Sequence, residues 1–596
     1  MIRAVKEIRQ KNRDRYKKFK TAFAVLFPLF LVLVTEAIHT NDLFAILRFA
    51  ADKPKTIIFA FLVVMMIYAA LALLTRNLTA AAAICAVLFF TFSVVEYFKF
   101  TSSGTHFSIS DLLMSAKVSD VSTFALIRPT AGMIAGFLFL LTYVSVIFLL
   151  NIQVKVKRIL SFTSALGIIG AFVSFVAVEP VYSFLYSAFD ISTDDDNNVI
   201  LSREKFTENK LIANLTESVS REIERILNTP ESYSPEKIES FLSARKGFTT
   251  FVEHKSDELN PNVIIILSES FADLRLIDGI DVPDGIYDDF DFLTDSYFKG
   301  MSLVPTFGGG TVKTEFELLL GLPMKSVNNT PLPQNLFRID GETEETFAKL
   351  YSDIGYSTTY IHPFKSTFYN RSRIYSEFGF DRLIFEEDLT ADITYRGAFI
   401  DDATVFRQIE SVLERRIIDF YSNAPSYIFA TTMQNHMPYI SEDFDGLELD
   451  FYFAGIRESS RALLEFHEYV VSLDYPTVVL FIGDHYPSFS ADSGVYEAAE
   501  ITAENCYEIY MQPYLIFSNF DLNYRILPDE CVSSFYLPHL LTLVSGLPIN
   551  EFTEAMLRKL AEVPIYTDAG LFLPQDEKLD MLAYDRIRGN RYSVWN

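Results

Sequence analysis

Five apolar runs follow one another in the first 180 residues, at positions 19–38, 56–74, 79–98, 131–150 and 159–178. Each holds about the 20 residues that an α-helix needs to cross ~30 Å of hydrocarbon. A buried core helix would account for any single run, and a signal peptide for the first. Five in series, joined by short polar segments, predict instead a five-helix transmembrane domain over residues 1–180.

The charges flanking these runs set an orientation. Arg3, Lys6, Arg9, Lys11, Arg13, Arg15, Lys17, Lys18 and Lys20 precede the first run, Arg76 lies between the second and third, and Lys155, Lys157 and Arg158 between the fourth and fifth. The alternate joints carry only Arg48, Lys53, Lys55, Lys99, Lys117 and Arg128. The positive-inside rule then predicts a cytoplasmic N-terminus and, after an odd number of crossings, an extracellular remainder beyond Val178. Glu36 and Glu96 fall near helix ends and read as boundary residues that reach the interface.

Composition agrees with this division. Hydrophobic residues make up 50% and charged residues 21%, with a mean hydropathy of +0.19, which excludes a wholly soluble or disordered chain. The net charge of −26 is unevenly spread, for residues 1–180 hold 19 Lys and Arg against 9 Asp and Glu. The remainder is therefore strongly acidic, the wrong sign for a nucleic-acid partner. Cys85, Cys506 and Cys531 allow at most one disulfide and form no CxxC pair, which excludes a disulfide framework and a zinc ribbon.

Residues 181–255 read as an extracellular connector. Asp194 to Asn198 form a solvated turn, and Leu211, Ile212, Leu215, Ile223 and Ile226 follow a helical spacing suited to packing on the next domain. From 256 to 596 the pattern becomes α/β. Continuous β-branched runs at 263–267, 357–361, 427–432 and 477–482 predict strands buried on both faces of a mainly parallel sheet flanked by helices. Ligands in such sheets sit beyond the carboxyl ends of the strands, so the residues that follow each run are the candidates for chemistry.

After the first strand comes Ser268-Glu269-Ser270, and after another comes Gly483-Asp484-His485-Tyr486. Together they supply carboxylate oxygen and imidazole, ligands for manganese, magnesium or zinc. Taken alone, each is as readily an ordinary strand end or turn. Between them, Pro305-Thr306-Phe307-Gly308-Gly309-Gly310-Thr311 leads into an apolar helical stretch. Thr311 either caps that helix, the simpler reading of the spacing, or sits at an anion site at its N-terminus. A Walker-type phosphate loop is excluded, because the order GxxxxGK[ST] is absent.

This arrangement resembles the lipoteichoic acid synthase family of membrane phosphoglycerol transferases, a branch of the alkaline phosphatase and sulfatase superfamily. The resemblance covers nearly the whole chain. It rests on 262–270, on Thr311 four residues before Glu315-Phe316, on Gly483-Asp484-His485-Tyr486, on the spacing of His362, Tyr369 and Arg371, and on Asn435-His436-Met437-Pro438-Tyr439. It implies that Glu269, Thr311, Asp484 and His485 bind one divalent ion, manganese first and magnesium or zinc as alternatives. It makes Thr311 the nucleophile, and His362, Tyr369, Arg371 and His436 the substrate contacts. Two departures stand out: Tyr369 replaces a usual tryptophan, and no further histidine occurs in Tyr486–Ser490.

The implied reaction takes glycerol phosphate from phosphatidylglycerol through a glycerophospho-Thr311 intermediate to a glycolipid or glycan acceptor at the cell envelope. The alternatives are a phosphoethanolamine transferase of the same superfamily and a non-catalytic, membrane-tethered sulfatase-like protein. A sulfatase itself is disfavoured, because none of the three cysteines lies in a CxPxR-like setting. His39, His106, His254, His467 and His539 match no motif and read as structural or surface residues.

Overall fold

The computed structural model describes the chain apart from residues 1, 43, 104, 110, 112–127, 151, 153–155, 194–198, 228–229, 231, 244–259, 331–332, 337–343, 415–423, 441–445, 491–492, 500, 503, 523–530, 570, 572 and 594–596. The expected turn at 194–198, Lys117, Lys155 and His254 lie outside the described residues.

The five apolar runs form helices with spans at Lys18–Thr40, Pro54–Thr75, Leu78–Thr101, Ala131–Leu150 and Arg158–Ala177. The first extends backwards, for the basic N-terminal segment continues the same helix from Ile2 to Thr40. Phe27, Leu31, Val64, Ala81, Cys85 and Met133 meet in the bundle interior. The opposite faces are apolar as well: Ile159 is 81% exposed and Leu149 77%. Such surfaces are stable only against lipid, so these helices belong in a membrane.

Glu36 and Glu96 lie near helix ends as expected, but their side chains turn into the protein. Both are buried, and each has a histidine partner: Glu36 Oε2 lies 2.6 Å from His39 Nε2, and Glu96 Oε1 2.6 Å from His106 Nδ1. Burial of a carboxylate requires such a partner. The His106 ring also stacks on Phe206 of the connector, at 3.7 Å between centroids.

The connector packs differently from its predicted role. Its main helix, Val199–Leu227, breaks at Lys210, where φ 60 and ψ 179 are not helical. Ile212 and Ala213 bury among the membrane helices, and Leu211 and Leu215 against Phe107. The flanks of the connector reach the following domain. Val199 N donates to Tyr510 Oη at 3.1 Å, and Ile238 and Leu242 of the Pro235–Leu242 helix meet Ala555 and Met581.

The α/β domain contains strands β1 (Asn262–Ser268), β2 (Phe298–Leu303), β3 (Ser357–Ile361), β4 (Arg382–Ile384), β5 (Tyr395–Arg396), β6 (Phe399–Ile400), β7 (Ser426–Thr431), β8 (Thr477–Gly483), β9 (Met511–Ser518) and β10 (Val532–Ser533). β5 and β6 form a separate hairpin, and the other eight form one sheet in the order β10-β2-β9-β8-β1-β7-β3-β4. Within this sheet the pairs are parallel except those of β9, which runs against β2 and β8. Side chains alternate along β1. Val263, Ile265 and Leu267 join a core with Phe316 and Leu319, while Ile264 and Ile266 join the opposite core with Phe271 and Phe466. Two buried faces explain the continuous apolar runs.

Register then aligns the strand ends. Ser268 pairs with Gly483, Leu267 with Thr431 and Ile361 with Ala430. Glu269, His362, Thr432 and Asp484 therefore emerge along one edge of the sheet.

Candidate active site

At this edge the Thr311–Leu320 helix begins. Gly308, Gly309 and Gly310 precede it with φ of 65, 140 and 80, a left-handed path that side chains resist. Gly310 is the N-cap, so Thr311 is the first helical residue and does not cap the helix. Its hydroxyl turns outward instead. Thr311 Oγ1 donates to Asp484 Oδ2 at 2.8 Å and lies 3.4 Å from Glu269 Oε2. One helical turn on, Thr314 Oγ1 donates to the Asp484 carbonyl at 2.9 Å and ties the helix to the β8 end.

Glu269, Asp484 and His485 offer ligand atoms within 4.8 Å of one another, all buried. His485 Nε2 lies 3.1 Å from Asp484 Oδ2 and 3.7 Å from Glu269 Oε1. Its Nδ1 donates to the Tyr486 carbonyl at 2.9 Å, which directs the Nε2 lone pair at the two carboxylates. Yet Nε2 makes no hydrogen bond. The amides of Ser270 and His485 both donate to Asp484 Oδ1 at 2.7 Å, and Ser270 Oγ donates to Glu269 Oε1 at 2.9 Å, so each carboxylate is held by one oxygen with the other turned inward.

Burial pushes both carboxyls above their ordinary range, and the Asp484 charge pushes Glu269 further. Two buried carboxylates, an orphaned imidazole nitrogen and a hydroxyl are a donor set that fits a divalent cation. Ligand bonds of about 2.1 Å put neighbouring donors roughly 3–3.5 Å apart, and the contacts here run from 2.8 to 3.7 Å.

Three of the remaining predicted residues present polar atoms to the same region. His362 is buried, with Nε2 unpartnered; burial and then the Arg371 charge push it well below the usual histidine range. His436 Nδ1 donates to the Met437 carbonyl at 2.6 Å, and burial pushes its pKa down to about 4. Both rings are therefore neutral near pH 7. Arg371 is buried and bonds Glu315 through Nη2 at 3.2 and 3.3 Å, while Nε and Nη1 have no partner. Tyr369, half-buried and left-handed at φ 54, sets its ring 5.1 Å from the Arg371 guanidinium.

The motifs include Glu315 but assign no role to it or to Thr432. Glu315 binds Arg371, and Thr432 Oγ1 accepts from the Glu269 amide at 3.1 Å. The Thr311-to-Glu315 spacing places both on one helix face and was the available signal for Glu315. His539 is structural as expected, and His467 bonds Tyr297 Oη at 2.8 Å.

Residues 261–544 match the sulfatase family model. The integral membrane lipooligosaccharide phosphoethanolamine transferase A of Neisseria meningitidis aligns over 89% of this chain and 98% of its own, at TM-score 0.50 and 11% identity. The phosphoglycerol transferase GacH of Streptococcus pyogenes, solved with sn-glycerol-1-phosphate, aligns over 61% of this chain and 96% of its own, at TM-score 0.48 and 20% identity. A putative cyclic β-1,2-glucan modification protein of Rhizobium meliloti is 27% identical over 256 residues, 38% of this chain and 36% of that protein. The chain spans less than half the length of each curated relative it matches.

Proposed function

We propose that this chain, a membrane-anchored member of the sulfatase and alkaline phosphatase superfamily, is a phosphoglycerol transferase. It moves glycerol phosphate from phosphatidylglycerol to a hydroxyl of a cell-envelope glycan or glycolipid. One observation carries the reading: the Thr311 hydroxyl points at two buried carboxylates, in a site where Nε and Nη1 of Arg371 and Nε2 of His362 and of His485 are buried without partners. Unsatisfied buried donors and acceptors are expensive, and they persist where a ligand completes them.

Glu269, Asp484, His485 and Thr311 would hold the divalent ion, manganese by preference and magnesium or zinc as alternatives. When bound, that ion supplies positive charge that lowers the proton affinity of the hydroxyl and offsets charge on the phosphate. Thr311 Oγ1 attacks phosphorus, a phosphorus–oxygen bond to threonine forms, and the bond to diacylglycerol breaks. The threonine proton leaves with the diacylglycerol oxygen. An acceptor hydroxyl then displaces Thr311, which regains a proton. The free N–H groups of Arg371 suit phosphate oxygens, and the neutral His362 and His436 can accept hydrogen bonds from glycerol hydroxyls.

The carboxylates of the site favour a neutral head group. Glu269 and Asp484 serve the cation site, and Glu315 is engaged by Arg371. An ethanolammonium group is matched best by a free carboxylate, and none of these three is free for it, whereas a neutral glycerol needs none. A glycan acceptor accords with a relative described as a putative glucan modification protein. The membrane anchor holds the site close to the leaflet that supplies the donor.

The test is mass spectrometry of the Thr311 peptide after incubation of the full-length protein with phosphatidylglycerol and, separately, phosphatidylethanolamine. A glycerophosphoryl adduct on Thr311 is expected from the first. An adduct from phosphatidylethanolamine alone would replace the donor, and no adduct from either would overturn the mechanism.

A further inference from the structure

Glu315 lies one helical turn beyond Thr311 and is 1% exposed. Oε1 accepts from Tyr360 Oη at 2.9 Å, Thr431 Oγ1 at 2.8 Å and Arg371 Nη2 at 3.3 Å. Oε2 accepts from Arg371 Nη2 at 3.2 Å and from the Tyr375 hydroxyl. One carboxylate thus joins the helix bearing Thr311 to β3, to β7 and to the Arg371–Glu377 helix. Its lone pairs are filled, so it has no capacity left for a substrate.

The same contact fixes Arg371. A single nitrogen, Nη2, is tethered, while Nε and Nη1 are buried and unpartnered. A guanidinium is planar, so holding one nitrogen and packing the ring of Tyr369 near the plane sets the direction of the rest. The backbone leading to it is held in a sparsely populated conformation, with Tyr369 and Asn370 both left-handed at φ 54 and 55.

We propose that Glu315 is a positioning residue for phosphoryl transfer: it clamps Arg371 through Nη2, so that one of the two remaining donors, Nη1–H, meets the phosphate attacked by Thr311 in one fixed direction. This rests on the reading of Arg371 as a phosphate ligand. Because Glu315 also cancels the Arg371 charge at a distance, the pair contributes orientation more than net attraction. Glu315→Gln should therefore separate the two. The uncompensated guanidinium still attracts an anion in the ground state, but the directed hydrogen bonds that strengthen in the transition state are lost.

The experiment uses full-length protein in phosphatidylglycerol nanodiscs and compares wild type, Glu315→Gln, Arg371→Lys and the double variant. Diacylglycerol release gives kcat, inorganic phosphate titration gives Kd, and thermal unfolding gives the folded fraction. Glu315→Gln is expected to lower kcat by about tenfold or more, with phosphate Kd unchanged or tighter. Placed on Arg371→Lys it should add less than about twofold, since a residue acting only through its neighbour has no effect once the neighbour is altered.

A kcat within about twofold of wild type, a loss explained by the folded fraction, or an equal loss in both backgrounds would each overturn the proposal. If Glu315→Gln does not fold, Tyr375→Phe keeps the charge and removes one restraint. It should lower kcat about threefold or more in wild type and not on Arg371→Lys, and wild-type kcat there overturns the proposal as well. Wild-type kcat and phosphate Kd in Arg371→Lys would instead show that Arg371 is no phosphate ligand. A wild-type protein that releases no diacylglycerol would end the transferase reading, and the proposal with it.

Discussion

Thr311 Oγ1 and Asp484 Oδ2 lie 2.8 Å apart although 173 positions separate them in sequence. A helix cap does not need that contact, and a nucleophile beside a cation site does. Thr311→Ala should remove one hydrogen bond at a cost of about 1 kcal/mol, leaving a folded protein. Diacylglycerol release from phosphatidylglycerol should fall by roughly three orders of magnitude or more, because no covalent intermediate can form. Thin-layer analysis of the released lipid checks this, and near wild-type release by the folded variant would refute the role of Thr311.

The cation site predicts a loss and a rescue. Exhaustive chelation should abolish transfer, and manganese should restore it in wild type but not in His485→Ala, which lacks the orphaned Nε2. Binding should also stabilise the fold, by about 2.7 kcal/mol at a concentration a hundred times Kd. Unfolding curves with and without manganese measure it. Full activity in protein shown to be free of metal would contradict the site.

Parts of this architecture were readable in the sequence for definite physical reasons. β1, β3, β7 and β8 are covered on both faces, so their apolar runs are continuous, and Glu269, Asp484 and His485 follow them directly. β9 was not anticipated. It carries Pro513, which pairs with Met301 of β2 beyond the last residue that pairs with β8, so the missing amide is tolerated there. Gly300 interrupts β2 in the same way, and the Tyr514 ring fills the space beside it. Glu315 was visible as a motif residue without a role, because that role needs Tyr360, Arg371, Tyr375 and Thr431 brought in from three other elements. The pairing of Glu96 with His106 needs the chain to turn back after its helix, whereas Glu36 and His39 are i,i+3 neighbours on one helix, a spacing the sequence displays.

The Lys and Arg asymmetry predicts the side of each domain. With five spans and the basic segment Arg3 to Lys20 retained inside, the α/β domain should face out. A C-terminal alkaline phosphatase fusion should be active and a C-terminal fluorescent protein that folds only in the cytoplasm should be dark. The reverse pattern would invert the topology.

The last prediction concerns His539, far in sequence from the catalytic motifs. It is buried, Nδ1 lies 3.2 Å from Thr553 Oγ1 and Nε2 3.2 Å from the Gly321 carbonyl, and burial pushes its pKa down to about 3. The neutral tautomer satisfies both contacts, with Nε2 donating and Nδ1 accepting, and a second proton would remove the acceptor. In the unfolded chain the same histidine titrates near its ordinary value of about 6.5. Between these values the unfolded state binds the proton and the folded state does not, so this residue makes stability fall as pH falls below about 6.5. At one and a half pH units below that value the penalty is on the order of 2 kcal/mol. Buried carboxyls with raised values, such as Asp402 at about 6, act in the opposite sense, so the total slope is not diagnostic. The difference between wild type and His539→Gln is diagnostic. The variant should be less stable than wild type at pH 7 and close the gap as pH drops toward 5. Denaturant unfolding across that range measures it, and a gap that stays constant with pH would show that His539 is protonated in both states or in neither.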